Sequence, residues 1–518
     1  MISNLNPATL EPVGDVKESE LDAIGVMLQK ARKAQEEWAS WPLARRRGAL
    51  LGVQRTLVQG WERVAEAVSR ETGKPRAEAV NTDVLAALVS VDYSVRSMRK
   101  LFAPRKVRFE SMAPMMRYMG RRSYIVNRPV GVVGIIAPWN YPLGIPFSQT
   151  VMALAAGNAV LFKPSPETPL TALEMQRLFD GAGLPDGLLQ TFVGGDEHGK
   201  ALVTSGVDRI IFTGSSAVGS QIMSLASQRL TPLTLELGGK DPCIVLEDAD
   251  LERAAEGVVW GAFVNAGQTC VCIKRLYVQE KIYDRFAQML TSKVSALRLG
   301  YGTDGHDVDV GPLISEGALR RTEEMVARAV RDGGEVLVGG KRTEGLKGYF
   351  FQPTVIAGAP QASCVVQEET FGPILAMNRF GSDEEAVRLA NDCQYALSGS
   401  VWTNDLERGR KIAERLNGGT ILVNNVAYTY GLPMTPWGGK GMSGYGRTHG
   451  AIGFSELVEP HHVHVDDGRF RREVWWHPYR WENMAGGTGL LDVLYGDSYR
   501  RRFKAILRLR RTLKGKQD

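Results

Sequence analysis

No run of apolar residues in this 518-residue chain approaches the roughly 20 needed to cross a bilayer as a helix. The opening stretch, Met1 to Lys17, carries acidic residues and no apolar core, which reads against a secretory leader. Low-complexity tracts and long-period repeats are also absent, which excludes solenoids and compositionally disordered scaffolds. Cysteine is scarce. Cys243, Cys270, Cys272, Cys364 and Cys393 are odd in number and scattered, and they form neither a disulfide framework nor a metal-ligand pattern. No metal is expected, and a reducing cytoplasm fits best. Most of the chain lacks excess positive charge too. The net +6 is concentrated in residues 500 to 518, where nine Lys/Arg face one Asp, leaving −2 for the remainder. No nucleic-acid partner is expected from such a body.

What is present is ordinary for a globular protein, with 44% apolar and 23% charged residues, in a chain too long for one hydrophobic core. From Glu18 to Leu101, helix formers carry apolar residues at three- and four-residue spacing, as in Leu21, Ile24, Leu28 and Ala31. Lys106 to Val130 changes character, and its Val107, Phe109, Tyr124, Ile125 and Val126 around a central Pro and Gly predict a pair of long strands. Strands and helices then alternate. Strands are predicted at 131–136, 159–162, 189–193 and 209–212, and helices at 147–157, 168–182 and 217–226. A second series starts near Gly239 with Cys243-Ile-Val-Leu and runs past residue 420. This alternation predicts an α/β protein with doubly wound parallel sheets in two units, plus a hairpin.

The dinucleotide fingerprint G-x-G-x-x-G is missing. The strand Arg209-Ile-Ile-Phe is followed instead by Thr213-Gly-Ser-Ser-Ala-Val-Gly219, whose small residues let backbone N–H groups and a helix N-terminus approach a phosphate. A plain strand–turn–helix would use the same residues. It is no Walker A loop, because Ser220 and Gln221 follow Gly219 where Lys and Ser/Thr are required.

Three residues stand out chemically. Cys270 closes Phe263-Val-Asn-Ala-Gly-Gln-Thr-Cys, a run that suggests a turn delivering a side chain into a cleft. A thiolate attacks carbonyl carbon well when its pKa is depressed or a base lies nearby. The other cysteines, Cys272 included, read as small core hydrophobes. Glu236 lies in an apolar strand ending in Gly238 and Gly239. Buried without partners it suits a general base, and an ion pair to Lys240 or Arg275 explains it equally well. Asn140, in Ala137-Pro-Trp-Asn-Tyr-Pro, is fixed between prolines and could donate to an oxyanion, although a turn asparagine is the commoner reading of such a segment.

Taken together, these segments resemble the aldehyde dehydrogenase superfamily over roughly residues 15 to 465. The resemblance rests on seven segments in register: Pro138-Trp-Asn-Tyr-Pro, Leu161-Phe-Lys-Pro-Ser, Phe212-Thr-Gly-Ser, Leu235-Glu-Leu-Gly-Gly-Lys, Asn265-Ala-Gly-Gln-Thr-Cys, Glu368-Glu-Thr-Phe-Gly-Pro and Pro436-Trp-Gly-Gly. The 34-residue interval from Glu236 to Cys270 also matches. The resemblance implies NAD(P)-dependent oxidation of an aldehyde to an acid, with Cys270 as nucleophile, Glu236 as base and Asn140 as oxyanion donor. It implies cofactor contacts from Trp139, Lys163, Ser165, Gly214, Ser215, Val218, Leu237, Glu369 and Phe371. Lys163 would meet the adenosine ribose, Ser215 the pyrophosphate and Glu369 the nicotinamide ribose, with Phe371 near that ring. The implied organisation is a Rossmann-like NAD(P)-binding domain (1–105 and 128–238), a catalytic domain (239–440), oligomerisation strands (106–127 and 455–467) and an extension (468–518). A homodimer or homotetramer follows from the same resemblance.

The chain departs from the family pattern in four places. Lysine in the Pro436 segment is displaced by one position, to Lys440. Three residues after Lys163, where Glu favours NAD, stands Pro166, so NAD and NADP both remain open. Where members acting on succinic semialdehyde carry Arg, this chain has Ser148. With Gly144, Ile145, Tyr428, Tyr430, Leu432 and Met434 near the expected entry, an apolar aldehyde is favoured. The fourth departure is the extension, which is similar to a plant and fungal branch and ends in a basic tail. Residues 499–514 are expected to form a helix with Phe503, Ile506, Leu507 and Leu513 on one face. That helix either contacts an anionic membrane surface or packs on protein. Two other functions are weighed against hydrolytic oxidation: CoA-acylating chemistry, whose enzymes generally lack the glutamate, and an inactive binding protein, which usually loses Cys or Glu.

Overall fold

Helix-forming residues with a regular apolar stripe make Ala23–Ser40, Leu43–Thr72 and Leu85–Phe102 helical, burying Trp38, Leu50, Val64 and Val91 among others. The computed structural model describes residues 1–112, 116–117, 119–302, 307–469, 476–479 and 481–514. They form two compact units, Met1–Leu101 with Pro129–Glu459, and Phe102–Arg128 with Pro460–Asp518.

The first unit is α/β and is built on two large sheets. One has the order Gly444–Tyr445, Leu233–Glu236, Arg209–Thr213, Val132–Ile136, Ala159–Lys163, Leu189–Thr191. Its strands are parallel except Gly444–Tyr445. Val132–Ile136 pairs on one side with the strand that follows it in sequence and on the other with Arg209–Thr213. Strand order reverses there, which opens a crevice at the carboxyl ends where α/β proteins bind ligands. The strands are buried on both faces, so Val132, Val133, Ile135, Val160 and Leu161 form a near-continuous apolar run.

The second sheet runs Glu335–Val338, Thr354–Ala357, Ile374–Phe380, Ile273–Gln279, Asp241–Val245, Ser398–Trp402, Thr420–Val423, parallel except for its first strand. Only Leu237 to Lys240 separates it from the first sheet. The link between the sheets is thus also the segment that follows Glu236.

Three local expectations need correction. The helix predicted from 147 starts at Gly144, because Asp83 receives the N–H groups of Leu143 and Gly144 and fixes its first turn. A helix at Asp196–Thr204 and an N-terminal hairpin, Ile2–Leu5 with Pro12–Val16, were not expected.

The pair of long strands over 106–130 is the third correction, and it belongs to the second unit. The segment gives two residues of strand, Arg105–Lys106, a single turn at Glu110–Met112, and one long strand, Arg121–Pro129. Val458–Asp466 supplies the other long strand, in the order Val458–Asp466, Arg121–Pro129, Arg105–Lys106. Arg121 binds Asp466 at 2.8 Å and Ser123 meets His464 at 2.7 Å. Two helices follow, Trp481–Tyr495 and Tyr499–Lys514, joined by Arg501 to Asp492 at 2.8 Å and by buried Ala505. Phe503, Ile506 and Leu507 are 62%, 41% and 44% exposed. The Leu513 side chain, the fourth member of the expected stripe, lies outside the described residues. No described helix is long and apolar enough to cross a membrane.

Candidate active site

Cys270 reaches the cleft on a turn that the backbone adopts at a cost. Asn265, Ala266 and Gly267 all have positive φ (51°, 53° and 71°), a region that alanine rarely enters. Such strain persists only where surrounding bonds hold it. Here the Glu78 carboxylate accepts from the Asn265 N–H at 3.0 Å, and the Gln268 side chain spans from the Asn265 carbonyl to the Ile314 N–H. The turn leads into the strand Ile273–Gln279, which pairs with Asp241, so Cys270 comes against the glycines that end the Glu236 strand. A Cβ on Gly239 would lie 2.1 Å from the Cys270 carbonyl oxygen, and one on Gly238 would lie 2.5 Å from the Glu369 carboxylate. Gly239 is required by this approach to backbone, whereas a side chain at Gly238 would displace the Glu369 carboxylate.

Glu236 is 4% exposed, at the end of Leu233–Glu236. Its Oε1 accepts from the Thr448 hydroxyl at 3.2 Å and its Oε2 has no partner. The ion-pair alternative finds no support among the described residues. Lys240 donates to the Thr370 hydroxyl, and Arg275 donates to the carbonyls of Lys240, Leu389 and Ala390. Burial pushes Glu236 up to about 8, against the opposing effects of Thr448 and Arg447. Cys270 is pushed up as well, by burial first and then by Asp241, Glu236 and Glu369. Its thiol is therefore protonated at neutrality, and a base has to take the proton. Cys272 is buried, with Sγ directed at the Val264 carbonyl.

Asn140 is 3% exposed. Its Nδ2 donates to the Gln268 carbonyl at 3.0 Å, an acceptor that only the NH₂ end of the amide can face. One N–H of that group remains to be used. Apolar residues Val271, Leu397 and Trp437 pack beside Cys270, with Ala427 and Tyr430 at their edge.

A cleft of about 530 Å³ takes in Trp139, Asn140, Gly214, Ser215, Leu237, Cys270, Glu369 and Phe371. Ser215 caps the helix Ser216–Ser227, accepting from the Val218 N–H at 3.3 Å. The positive helix end therefore opens at the crevice, as an anionic pyrophosphate requires. Phe371, at φ 40°, meets Trp139 edge-on at 5.6 Å. Glu369 accepts from the Gly239 N–H at 3.2 Å and is raised by burial. A cleft of this volume with a helix terminus, a carboxylate and aromatic walls fits a dinucleotide. Lys163, Ser165, Val218 and Glu236 are not among its lining residues. Lys163 ends the strand beside Val132–Ile136, and burial lowers it to about 8.

The family model for the aldehyde dehydrogenase family matches residues 1–463. The chain belongs to the aldehyde dehydrogenase family. It is 35% identical over 455 residues to the putative succinate-semialdehyde dehydrogenase (NADP(+)) 2 of Mycobacterium tuberculosis, covering 88% of this chain and 85% of that one. It is 33% identical over 500 residues to the 4,4'-diapolycopene aldehyde oxidase of Methylomonas sp., covering 96% and 92%. The crystal structure of a Mycobacterium tuberculosis aldehyde dehydrogenase complexed with NAD+ matches at a TM-score of 0.84 and 35% identity, covering 90% and 94%. The protein is an NAD(P)-dependent oxidoreductase acting on aldehydes.

In this aldehyde dehydrogenase, Lys440 is exposed and donates to Asn417 at 2.9 Å, and it does not line the cleft. The sequence reading missed Thr448, which holds Glu236, and Lys74, whose Nζ donates to the Asn140 carbonyl at 2.6 Å. Thr448 lies twelve residues beyond Pro436, and only the antiparallel pairing of Gly444 with Glu236 brings it close. Lys74 offered a fainter signal, a lone Lys-Pro step breaking a long helical run.

Proposed function

We propose that this aldehyde dehydrogenase oxidises an apolar aldehyde, aliphatic or aromatic, through a thioester on Cys270 that water hydrolyses. The observation that carries this is a carboxylate with one uncommitted oxygen, Glu236 Oε2, shortly before the glycine that meets the Cys270 carbonyl, and an amide with one free N–H, Asn140, that lines the cleft with Cys270. Glu236 takes the thiol proton as Sγ bonds to the aldehyde carbon, and Asn140 Nδ2 holds the oxygen that becomes negative. When bound, the oxidised nicotinamide supplies the acceptor for the hydride that the adduct gives up. Trp139, Gly214, Ser215, Leu237, Glu369 and Phe371 would hold the cofactor in the cleft, with Lys163, Ser165 and Val218 toward its adenosine end. Glu236 passes the thiol proton to solvent and then, ionised again, draws a proton from water as the water attacks the thioester carbon. The C–S bond breaks, the acid leaves and the thiol is restored. Glu236 favours water over CoA as acceptor, because deacylation by water requires a base at this place.

The apolar neighbours of Cys270 support the substrate class. Ser148 is buried and donates to the Gly144 carbonyl, so it offers no grip for a second carboxylate. Of the relatives, the diapolycopene aldehyde oxidase is thus the nearer guide. The test is NAD(P)H formation with an aldehyde panel, with NAD or NADP and with or without CoA. Medium-chain and aromatic aldehydes should exceed succinic semialdehyde about tenfold or more in kcat/KM. Cys270→Ala should abolish the signal while Cys272→Ala keeps most of it. A dead Cys272→Ala with intact circular dichroism would overturn the mechanism.

The same reading assigns cofactor binding to residues 1–105 and 128–238, catalysis to 239–440, oligomerisation to 106–127 and 455–467, and the extension to 468–518. Val458–Asp466 is a long, largely exposed edge strand, a ready site for pairing with a second copy in a homodimer or homotetramer. The helix Tyr499–Lys514 would rest peripherally on an anionic membrane, with Phe503, Ile506 and Leu507 toward the lipid.

A further inference from the structure

Lys74 and Asp83 form an ion pair at 3.1 Å with both side chains fully buried. Such a pair is a poor device for stability alone, because desolvation costs about as much as the attraction returns and apolar residues of similar volume serve as well. Its position suggests another use. Lys74 Nζ also donates to the Asn140 carbonyl at 2.6 Å and sits 4.2 Å over the Tyr141 ring. Asp83 Oδ1 accepts from the N–H groups of Leu143 and Gly144 at 3.1 and 2.9 Å. The pair therefore grips the oxyanion loop at both ends, from the residue that carries the amide to the start of the helix behind it.

A second acid from the same stretch of chain reaches the other loop. Glu78 accepts from the Asn265 N–H at 3.0 and 3.2 Å, at the first strained residue of the turn that carries Cys270. The two loops are then tied directly, since Asn265 Nδ2 donates to the Asn140 carbonyl at 3.0 Å and Asn140 Nδ2 donates to the Gln268 carbonyl at 3.0 Å. Both hydrogen-bonding ends of Asn140 that are committed point into this lattice. Without Lys74 the Asn140 backbone carbonyl loses its shortest contact and keeps only the longer bond from Asn265 Nδ2, so the loop that aims the amide is held less firmly.

We propose that Lys74, Asp83 and Glu78 are positioning residues that hold the Asn140 amide in register with Cys270 for acylation. This rests on the reading of Asn140 as the oxyanion donor. The donor must already be aimed where charge develops, and a displacement of about 1 Å can cost roughly 100-fold in rate. Cofactor binding, made by other residues of the cleft, should be left alone.

The test is the stopped-flow burst of NAD(P)H with an aldehyde that the wild type turns over, beside cofactor Kd from tryptophan fluorescence and Tm. Lys74→Met should slow the burst by about 10- to 100-fold with cofactor Kd within about twofold. The double variant Lys74→Met with Asp83→Asn removes both buried charges, so its Tm should recover while its burst stays slow. Glu78→Ala should be slow too, whereas Glu78→Gln, which keeps an acceptor for the Asn265 N–H, should regain most of the rate. A double variant with a wild-type burst overturns the proposal. If neither charge variant folds, equal bursts in Glu78→Ala and wild type overturn it instead. Asn140→Ala separates the premise from the inference. A normal burst there removes the oxyanion reading and the proposal with it, while a slow one beside a normal double variant removes the positioning role alone.

Discussion

Glu236 has to be charged to accept a proton, and its burial makes that charge costly. The folded carboxyl titrates near 8, whereas the unfolded chain titrates near 4.5. A folded pKa above the unfolded one contributes stability that is complete below 4.5 and is lost as pH rises through 8. Turnover runs the other way, because only the ionised form serves as base. In the wild type, kcat limited by deacylation should therefore climb through pH 8, while thermal stability declines between pH 4.5 and about 8 and levels off above. Glu236→Gln removes both dependences. It should melt about 2 °C or more above the wild type at alkaline pH and match it near pH 5. Its steady-state turnover should fall at least about 100-fold and lose its alkaline rise, while a first burst of NAD(P)H survives. Because the Cys270 thiol is held protonated, that burst should also be slower than in the wild type. A variant with unchanged turnover, or one destabilised at alkaline pH, would refute the base assignment.

At the scale of elements, the turn between the strand Ala159–Lys163 and the helix Pro169–Asp180 bears on cofactor choice. Pro166 and Glu167 are half-buried there, Ser165 Oγ accepts from the Glu167 N–H, and burial raises the Glu167 carboxyl. On the proposed placement of the cofactor, Pro166→Glu would put a carboxylate near Lys163, where the 2′-phosphate of NADP would lie. The ratio of kcat/KM for NAD over NADP should rise about tenfold, a modest share of what facing like charges cost. No rise, or a shift toward NADP, would show that this turn does not face the ribose. The strand of this unit was legible because its signal is local, as was Ser215 at the head of its helix. The same holds for the segments carrying Asn140, Glu236 and Cys270, of which Asn140 and Cys270 line the cleft while Glu236 is buried. What escaped depends on partners distant in sequence. Lys106 to Val130 carries strand-forming residues, but its long strand, Arg121–Pro129, pairs with residues beyond 457, which no local pattern reveals. Lys74, Glu78 and Asp83 look like surface charges of a helical run. Only the turn of the chain at Gly73, with φ 73°, sends them inward toward two loops that lie far along the sequence.

At the scale of the whole molecule, charge is segregated, with +8 in residues 500 to 518 and −2 elsewhere. The match to the Methylomonas relative spans 96% of this chain, so it continues past residue 463, where the family model stops. A basic helix with an apolar stripe suits an anionic bilayer surface, since it combines apolar burial with roughly 1 kcal/mol for each Lys/Arg near that surface. Within its own unit the helix Tyr499–Lys514 buries Ala505 and leaves Phe503, Ile506 and Leu507 outward. Truncation after Gly496 removes that helix and tests the arrangement. The shortened protein should keep its activity on a water-soluble aldehyde and melt within about 2 °C of the full chain. Only the full chain should sediment with anionic vesicles, and the binding should weaken as salt rises, because screening shortens the reach of its charges. Packing on protein forecasts the opposite. Truncation would then lower Tm or change the oligomer, and the full chain would stay in the supernatant with anionic vesicles even at low salt, which by itself would end the membrane reading.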